Sequence, residues 1–427
     1  MLALTWACDA HTSYRATSFL FDTLVRWLFP IGPCAETVRL WLLRLGLFLL
    51  ERPVPKRSDW ALLLDHTIQL GPHKCLLIVG VRLTDLEARR DFRLAHHDVD
   101  VLGLKVLTSS TGEVVEHHLQ QVCERVGTPT QIVSDHGSAI LKGIRLFKEE
   151  HPEVVETYDV THGLACLLKG QLQNDPRWQA FVQACQSSRQ QLQQTAGSFL
   201  SPPAWRTKSR YLNLDTHLRW AGDLLEVLRS PRPTSLATQL GKGEQDASAW
   251  LEEKLGWLRG FAAEVTSWTY LQEVVKRAEE QIKEHGLNRG SESRLRVVLL
   301  PLRVPDERGW VFRADVLAFV RQQGNQVPRG RTYVGSTDVL ESLFGKYKRR
   351  VEEAPFREIG ASILALPVLA TELTEELVKE ALETVRATDV KEWLEQELGS
   401  SPQKKKRAVL APAQGELPID SEDTEAA

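Results

Sequence analysis

The segment QIVSDHGSAILKG, residues 131–143, places a carboxylate where a buried strand would end. Its apolar start predicts a short strand, Asp135 follows that strand, and Gly137 precedes a helical pattern. A charge at the end of a buried strand is costly unless a positive group is held beside it. The segment therefore raises the question of whether other carboxylates occupy similar positions.

The residues around this segment predict a mixed sheet. Three apolar runs precede it and read as neighbouring strands joined by hairpins: WALLLDHTIQL (60–70), KCLLIVGVRL (74–83) and DVDVLGLKVL (98–107). A helix follows over 111–127, with Thr111 as its cap and Gly127 at its end. TQIVSDHG is then the fourth strand, 138–151 a helix, and EVVETYDVTH (153–162) the fifth strand. The order β-β-β-α-β-α-β predicts an α/β fold, a mixed five-stranded sheet with helices packed on it.

Residues 1–57 read as a helical region in front of this sheet. Two helical patterns flank the breaker FPIGP (29–33), and seven Lys or Arg against four Asp or Glu give a local charge of +3. Two helices around a short turn are compatible with a helix-turn-helix that binds DNA. A helical hairpin that only packs fits the same pattern.

The remainder divides into three parts. Residues 58–170 form the first part of the core, and 171–325, rich in Gln, Leu, Glu, Arg and Trp, predict a mainly helical insertion. The last part of the core, 326–395, opens with the helical pattern TDVLESLFGKYKRRVEE (337–353). Residues 396–427 are rich in Pro and segregate their charges, which predicts a disordered tail.

The overall composition excludes several classes of protein. Formal net charge is only −3 over 427 residues, so any nucleic-acid surface must be local. Six cysteines without a CxxC pair argue against a zinc site or a disulfide framework. The most apolar stretch, 38–50, contains Arg39 and Arg44 and is shorter than the ~20 residues that cross a bilayer. We expect a cytoplasmic protein without a membrane partner.

Three carboxylates are the candidate catalytic residues. Asp65 lies in the first strand, Asp135 ends the fourth, and Glu341 lies near the start of the late helix. In a sheet ordered 3-2-1-4-5, the first and fourth strands are neighbours, and a helix across that edge could bring Glu341 to them. Three carboxylates at one point repel unless divalent cations neutralise them. Hard oxygen ligands suit Mg²⁺ or Mn²⁺, and two such ions about 3.5–4 Å apart would serve phosphoryl transfer.

The late helix carries cations beside its carboxylate. A buried stripe is predicted for Leu340, Leu343, Phe344 and Tyr347, which repeat at i, i+3, i+4 and i+7. Glu341 and Lys348 then share an adjacent face. This face could meet a DNA phosphate backbone, with Lys346, Arg349 and Arg350 as further contacts.

Each carboxylate also has a purely structural interpretation. Asp65 could cap a turn, and Asp135 could cap the helix that starts near Ser138. Glu341 lies three residues after Asp338, a spacing that suits a capping box. The joint placement of all three carboxylates favours the catalytic interpretation.

Asp65, Asp135 and Glu341 on the first strand, the fourth strand and a late helix resemble the DDE transposases, whose catalytic domain is ribonuclease-H-like. The resemblance covers about residues 58–170 and 330–355, and the helical insertion resembles interrupted hAT-type and IS4-like members. YDVTHGLACLLKG resembles the (C/D)xxH motif of hAT-type enzymes, which maps onto Asp159 and His162. Glu341 and Lys348 match the E-x6-K half of the IS4-type signature, but Val334 and Thr337 stand where its Tyr and Arg would be.

The resemblance implies metal-dependent cleavage at transposon ends, followed by strand transfer from the freed 3′-hydroxyl. It implies two Mg²⁺ or Mn²⁺ ions as cofactors, transposon-end and target DNA as partners, and a homo-oligomer on DNA in a bacterial nucleoid. Asp159, His162 and Lys348 would support the metal ligands or position DNA, and a tryptophan of the insertion could stack on a flipped base. Two alternatives stay open: a catalytically silent transposase-derived DNA-binding protein, and a ribonuclease-H-like nuclease without strand transfer.

Overall fold

A mixed five-stranded sheet forms the centre of the chain in a computed structural model. The strands are β1 Trp60–Leu70, β2 His73–Arg82, β3 Asp100–Leu107, β4 Gln131–Ser134 and β5 Val155–Tyr158. Their order is β3-β2-β1-β4-β5, with β2 antiparallel to β1 and β3, and with β4 and β5 parallel to β1. The predicted fold class, a ribonuclease-H-like mixed sheet flanked by helices, is confirmed.

The structure describes most of the chain. Its described residues are 1–8, 10, 12–25, 32–70, 73–205, 214–230, 233–352, 359–399, 406 and 409–410, without the side chains of 25, 67–70, 233 and 350–352. The predicted disordered tail, 396–427, lies almost entirely outside these residues, as does most of the FPIGP breaker.

The helices follow one another along the chain in three groups. Those before and between the strands are α1 Leu2–Cys8, α2 Tyr14–Val25, α3 Ala35–Glu51, α4 Leu83–Arg89, α5 Gly112–Val126 and α6 Ser138–Glu150. The next group is α7 Val160–Leu172, α8 Pro176–Leu192, α9 Leu214–Arg229, α10 Pro233–Leu240, α11 Glu244–Leu255, α12 Ala262–His285, α13 Ser291–Leu299 and α14 Glu307–Gln326. The last group is α15 Asp338–Glu352, α16 Ala365–Leu369, α17 Glu375–Thr384 and α18 Ala387–Leu398.

Both faces of the sheet are buried because successive side chains of a strand point to opposite faces. Leu62 and Leu64 of β1 join a core with α5 and α6, whereas Ala61 and Leu63 join the larger core that includes α3 and α15. A strand covered on both faces reads as a continuous apolar run. This explains why β1 is recognisable in the sequence, and why a charge within it, Asp65, stands out.

Two predicted details of the sheet are wrong. β2 and β3 are antiparallel neighbours, but α4 and a 3₁₀ turn, His96–Asp98, lie between them instead of a tight hairpin. Leu83 and Leu86 prolong the apolar pattern of β2, but both are buried from a helix. The fifth strand ends at Tyr158, because Asp159 caps α7 with its side chain.

The N-terminal region is integrated into the core through α3. Nine residues of α3, among them Leu42, Leu45 and Leu47, are buried. The helix packs against β3, α16, α17 and α18. Arg44 donates from Nε to the carbonyl oxygen of Val385 at 2.6 Å. A helix enclosed in this way cannot enter a DNA groove, which rules out α3 as the recognition helix of the predicted helix-turn-helix.

Helices also occupy the chain between β5 and α15, as predicted for the insertion, although the domain bounds themselves stay predictions. Within the described residues the extended backbone there is limited to one isolated bridge, Leu287 with Tyr333. Trp178 and Trp268 are buried with ring centroids 4.9 Å apart, whereas Trp310 is 61% exposed. None of the helices in the described part of the chain is long and apolar enough to cross a membrane.

Candidate functional site

Asp65, in the middle of β1, and Asp135, directly after β4, lie on neighbouring chains of the sheet. β1 and β4 are parallel, and their register pairs Leu64 with Ser134. The next residue on each strand is the aspartate, so the two carboxylates share one level of the sheet, on chains about 4.8 Å apart. Both are partly buried. The predicted neighbourhood of the first and fourth strands is confirmed, and the catalytic role of the two aspartates stays a prediction.

A tight turn fixes Asp135. Its Oδ1 accepts a hydrogen bond from the Gly137 backbone N–H at 2.9 Å, and the His136 N–H donates to Ser134 Oγ at 3.3 Å. His136 has φ +56°, a left-handed conformation that is uncommon for a residue other than glycine. Gly137, not Asp135, is the N-cap of α6. The alternative that Asp135 is the helix cap is therefore wrong: Asp135 braces the turn before the helix.

Aromatic side chains pack around this turn. The His136 ring stacks on Tyr158, with centroids 4.3 Å apart and planes 5° from parallel, and its Nε2 lies 3.2 Å from Glu156 Oε1. The His162 ring also lies near Tyr158, and the centroids of the two rings are 5.8 Å apart. Burial raises the pKa of Tyr158, and the hydrogen bond to Cys166 and the nearby Asp135 and Asp159 carboxylates act in the same direction. Tyr158 is therefore a neutral hydroxyl at physiological pH.

His66 follows Asp65 and is held as a neutral group. Its Nε2 shares a hydrogen bond with Ser110 Oγ at 2.8 Å. Burial lowers the pKa of His66, and the opposing attraction of Asp135 is not large enough to reverse the shift. A neutral imidazole adds no positive charge beside the two aspartates, so their repulsion is left for another cation to relieve.

Asp159 is fully buried and joins the sheet to the segment that precedes α15. Its Oδ1 accepts from the Thr161 backbone N–H at 2.9 Å, and its Oδ2 accepts from Thr337 Oγ1 at 2.7 Å. The Val160 N–H also donates to the Gly335 carbonyl oxygen at 2.8 Å. Asp159 therefore acts on α15 through the backbone that leads into it. A direct role of Asp159 and His162 at the metal or on DNA stays a prediction.

Gln131 anchors the same segment at the start of β4. Its amide nitrogen donates to the Val334 carbonyl oxygen at 2.7 Å and to Thr157 Oγ1 at 2.7 Å, and its amide oxygen accepts from the Val334 N–H at 3.1 Å. Sequence reasoning missed Gln131 and Thr337. The available signal was a polar residue at the start of a fully apolar strand, and the STD sequence directly before a helix.

Glu341 is exposed on α15, which packs beside β1. The predicted apolar stripe is confirmed, because Leu340, Leu343, Phe344 and Tyr347 are all buried. Asp338 is the first residue of the helix, and its carboxylate forms an ion pair with Lys283 of α12. Asp338 therefore does not occupy the N-cap position, and the capping-box alternative for Glu341 is wrong.

The cations of α15 lie on its accessible side. Lys348 and Arg349 are exposed, and Lys346 is partly buried beside a cavity that His96 and Ser342 also line. The side chain of Arg350 lies outside the described residues. The proposed DNA contacts at Lys346, Lys348 and Arg349 are therefore open to a ligand.

A complete three-ligand metal site is not assembled. In the part of the chain that the structure describes, no three His, Cys, Asp or Glu side chains are arranged to hold one metal ion. Asp65 and Asp135 supply the paired carboxylate oxygens that Mg²⁺ or Mn²⁺ prefers, so the donor chemistry fits. The structure thus brings two of the three predicted ligands together and leaves Glu341 outside a joint site.

Comparisons with known proteins give a likeness among solved structures. No protein-family model and no curated protein matches the sequence. Among solved structures, the chain is similar to the Drosophila P element transposase strand transfer complex, with 12% identity and a TM-score of 0.41. The match covers 88% of this chain and 92% of the other. A likeness of this degree assigns neither an activity nor a residue role.

Proposed function

We propose that this chain is a DDE-type transposase, a polynucleotidyl transferase that cuts DNA at transposon ends and joins the freed 3′-hydroxyl to target DNA. The observation that carries the proposal is the parallel register of β1 and β4, which puts Asp65 and Asp135 on adjacent chains directly after the last registered pair, Leu64 with Ser134. Glu341, on the helix that packs beside β1, is the proposed third carboxylate.

Asp65, Asp135 and Glu341 would hold two Mg²⁺ or Mn²⁺ ions. When bound, such ions supply activation of the attacking oxygen and stabilisation of the leaving oxygen in an in-line displacement. The aspartates would hold this charge at a fixed level of the sheet, because β1 and β4 are locked by their register. The turn at His136 and Gly137 would orient the Asp135 carboxylate.

Other residues would bind and orient the DNA. Lys348 and Arg349 are exposed on α15, and Lys346 lies five residues after Glu341 on the same helix. Their positive charge would attract the phosphate backbone and bring the scissile phosphate to the carboxylates. Asp159 and Thr337 would fix the start of α15, and so the position of Glu341. We further propose that the protein works as a homo-oligomer, since two transposon ends must be handled together.

A catalytically silent DNA-binding relative is the second candidate. It is favoured by the absence, within the described residues, of three side chains arranged to hold one metal ion. In such a protein the cations of α15 would still bind DNA, and the aspartate pair would contribute only to the structure of the sheet edge.

The test is cleavage of DNA that carries the ends of the element encoding the chain, with Mg²⁺ or Mn²⁺ and with a chelator. Asp65→Asn, Asp135→Asn and Glu341→Gln should each lower the cleavage rate about a thousandfold or more, because each removes charge that holds the metal. Glu113→Gln is the matched control, since Glu113 is an exposed carboxylate on α5. It should cut at the wild-type rate.

The outcomes separate the candidates. Metal-dependent nicking that only the three carboxylate variants lose would support the transposase. DNA binding without nicking in any protein would support the silent relative. Nicking that survives Glu341→Gln but not the aspartate variants would exclude Glu341 as the third ligand.

A further inference from the structure

A second candidate site lies beside α4, the helix that follows β2. It is a cavity of about 440 Å³ lined by Glu87, Arg90, Phe92, His285, Arg294, Gly330 and Thr332, here called the arginine cavity. Arg90 ends α4, which directly follows β2 where Arg82 pairs with Trp60, the first residue of β1. Neither Asp65 nor Asp135 lines this cavity.

Arg294 provides a buried donor that lacks an acceptor. Its Nη2 donates to Ser291 Oγ at 3.0 Å, but its Nε is buried and has no hydrogen-bond partner among the described residues. Burial lowers the pKa of Arg294, and no neighbouring carboxylate opposes that effect. A buried guanidinium N–H without an acceptor is costly, so the site is suited to an anion that would supply one.

Arg90 brings a second guanidinium to the cavity despite a backbone cost. It has φ +58°, in the left-handed region, and its backbone N–H closes α4 by donating to the Leu86 carbonyl oxygen at 2.9 Å. Glycine adopts this conformation without strain, whereas other residues lose about 1 kcal/mol. The Arg90 side chain is exposed, and the described residues include no carboxylate paired with it.

The one carboxylate that lines the cavity is already occupied. Glu87 Oε1 accepts from Arg331 Nε at 3.0 Å and from the Thr332 N–H at 3.4 Å. Arg329, the residue before Gly330, is exposed. The cavity therefore carries an excess of positive charge that Glu87 does not neutralise.

We propose that the arginine cavity binds a backbone phosphate of DNA through residues separate from the carboxylate pair. Guanidinium groups match phosphate oxygens in geometry and charge, and phosphate contacts fix the position of a protein on DNA. The identity of the polynucleotide rests on the proposed function, whereas the anion site rests on Arg90 and Arg294. The cavity would thus hold DNA through residues other than those at the cleavage point.

The test measures binding of a short duplex at several salt concentrations, without divalent metal. Each lost phosphate contact lowers the slope of log affinity against log salt by about 0.9, so Arg90→Gly with Arg294→Met should lower it by about 1 to 2. At low salt we expect at least tenfold weaker binding. Arg303→Met is the matched control, because Arg303 is exposed in the connection after α13 and does not line the cavity. It should leave the slope unchanged.

The single variant Arg90→Gly distinguishes lost phosphate contact from misfolding. Glycine adopts the left-handed backbone conformation at position 90, so this variant should not lower the unfolding temperature. An unchanged slope and affinity in Arg90→Gly and in the double variant would overturn the proposal. A second result would also overturn it: inorganic phosphate stabilises the wild type but not the double variant, while both bind DNA equally. The cavity would then be a site for a small anion and not for DNA. If the arginine variants lose binding but no protein cuts DNA, this inference stands and the proposed catalysis fails.

Discussion

Asp159 carries the clearest energetic consequence at the scale of single residues. A carboxylate with no exposed surface is stable only while donors surround it, and the Thr337 hydroxyl at 2.7 Å is one of them. Thr337 itself is 1% exposed, so water cannot replace its hydroxyl without rearrangement. This bond ties the end of β5 to the residue directly before α15.

Thr337→Val removes the hydroxyl and keeps the shape of the side chain. We expect it to lower the free energy of unfolding by about 1–3 kcal/mol, because a buried charge loses a donor. Urea denaturation measures the change. Thr266→Val is the matched control, since the exposed Thr266 hydroxyl only bonds its own helix at Ala262, and it should change stability by less than about 0.5 kcal/mol. Equal stability of Thr337→Val and wild type would show that Asp159 does not need this donor.

At the scale of elements, α12 of the helical region is coupled to α15 by one ion pair. Lys283 of α12 pairs with Asp338, the first residue of α15, three residues before Glu341. Burial alone would lower the pKa of Lys283, but the Asp338 and Glu279 carboxylates outweigh it and raise the pKa. The stabilisation is therefore fully present below the unfolded lysine pKa of about 10.4 and is lost as pH rises through the folded value.

A double-mutant cycle with Lys283→Met and Asp338→Asn isolates this coupling. Both side chains are about one third exposed, so we expect a coupling of about 0.5–1 kcal/mol at pH 8, measured by urea denaturation. The same cycle at Arg219 and Asp215, an exposed pair within α9, is the control and should give less. Additive single mutations at Lys283 and Asp338 would mean that α12 does not hold the start of α15.

The sequence predicts the strands β1 and β4 and the helix α15, but it does not predict where α15 packs. The apolar runs of β1 and β4 predict the Asp65–Asp135 pair, because the strand order makes the two strands neighbours and parallel pairing fixes the level. The position of Glu341 is different. It depends on contacts such as Gln131 with Val334, which join residues about 200 positions apart. Local periodicity carries no information about such contacts, so the helix was predictable and its placement was not.

The same limit applies to the connection from β2 to β3. The run that ends at Leu83 continues the apolar pattern of β2, and only packing decides that Leu83 and Leu86 are buried from a helix. The left-handed Arg90 that ends this helix lacks the usual glycine signal of a helix end. The arginine cavity was therefore not visible in the sequence.

At the scale of the whole molecule, the two candidate sites have opposite charge. Asp65 and Asp135 are acidic and the arginine cavity is basic, although the formal net charge of the chain is only −3. A small net charge thus conceals two local fields of opposite sign. The positive field would attract a polynucleotide, and the negative field would attract a metal cation.

The response of stability to acid follows from partly buried histidines, of which His66 is one. Burial lowers the pKa of His96 and of His118, with Lys346 and Lys105 respectively acting in the same direction. The unfolded chain therefore takes up protons first, and the free energy of unfolding should fall as pH drops below about 6.5. Carboxylates such as Asp175, whose pKa Arg308 lowers against the effect of burial, contribute a separate loss only below about pH 4.

His96→Gln combined with His118→Gln should therefore flatten the first loss of stability, between about pH 6.5 and pH 5, and leave the loss below pH 4 unchanged. The physical reason is that glutamine does not titrate, so the unfolded chain no longer gains protons at those positions. Urea denaturation at several pH values measures both stages. His117→Gln is the matched control, because His117 is exposed on the same helix as His118, and it should keep the wild-type profile. A double variant with an unaltered slope between pH 6.5 and pH 5 would place the acid sensitivity elsewhere in the molecule.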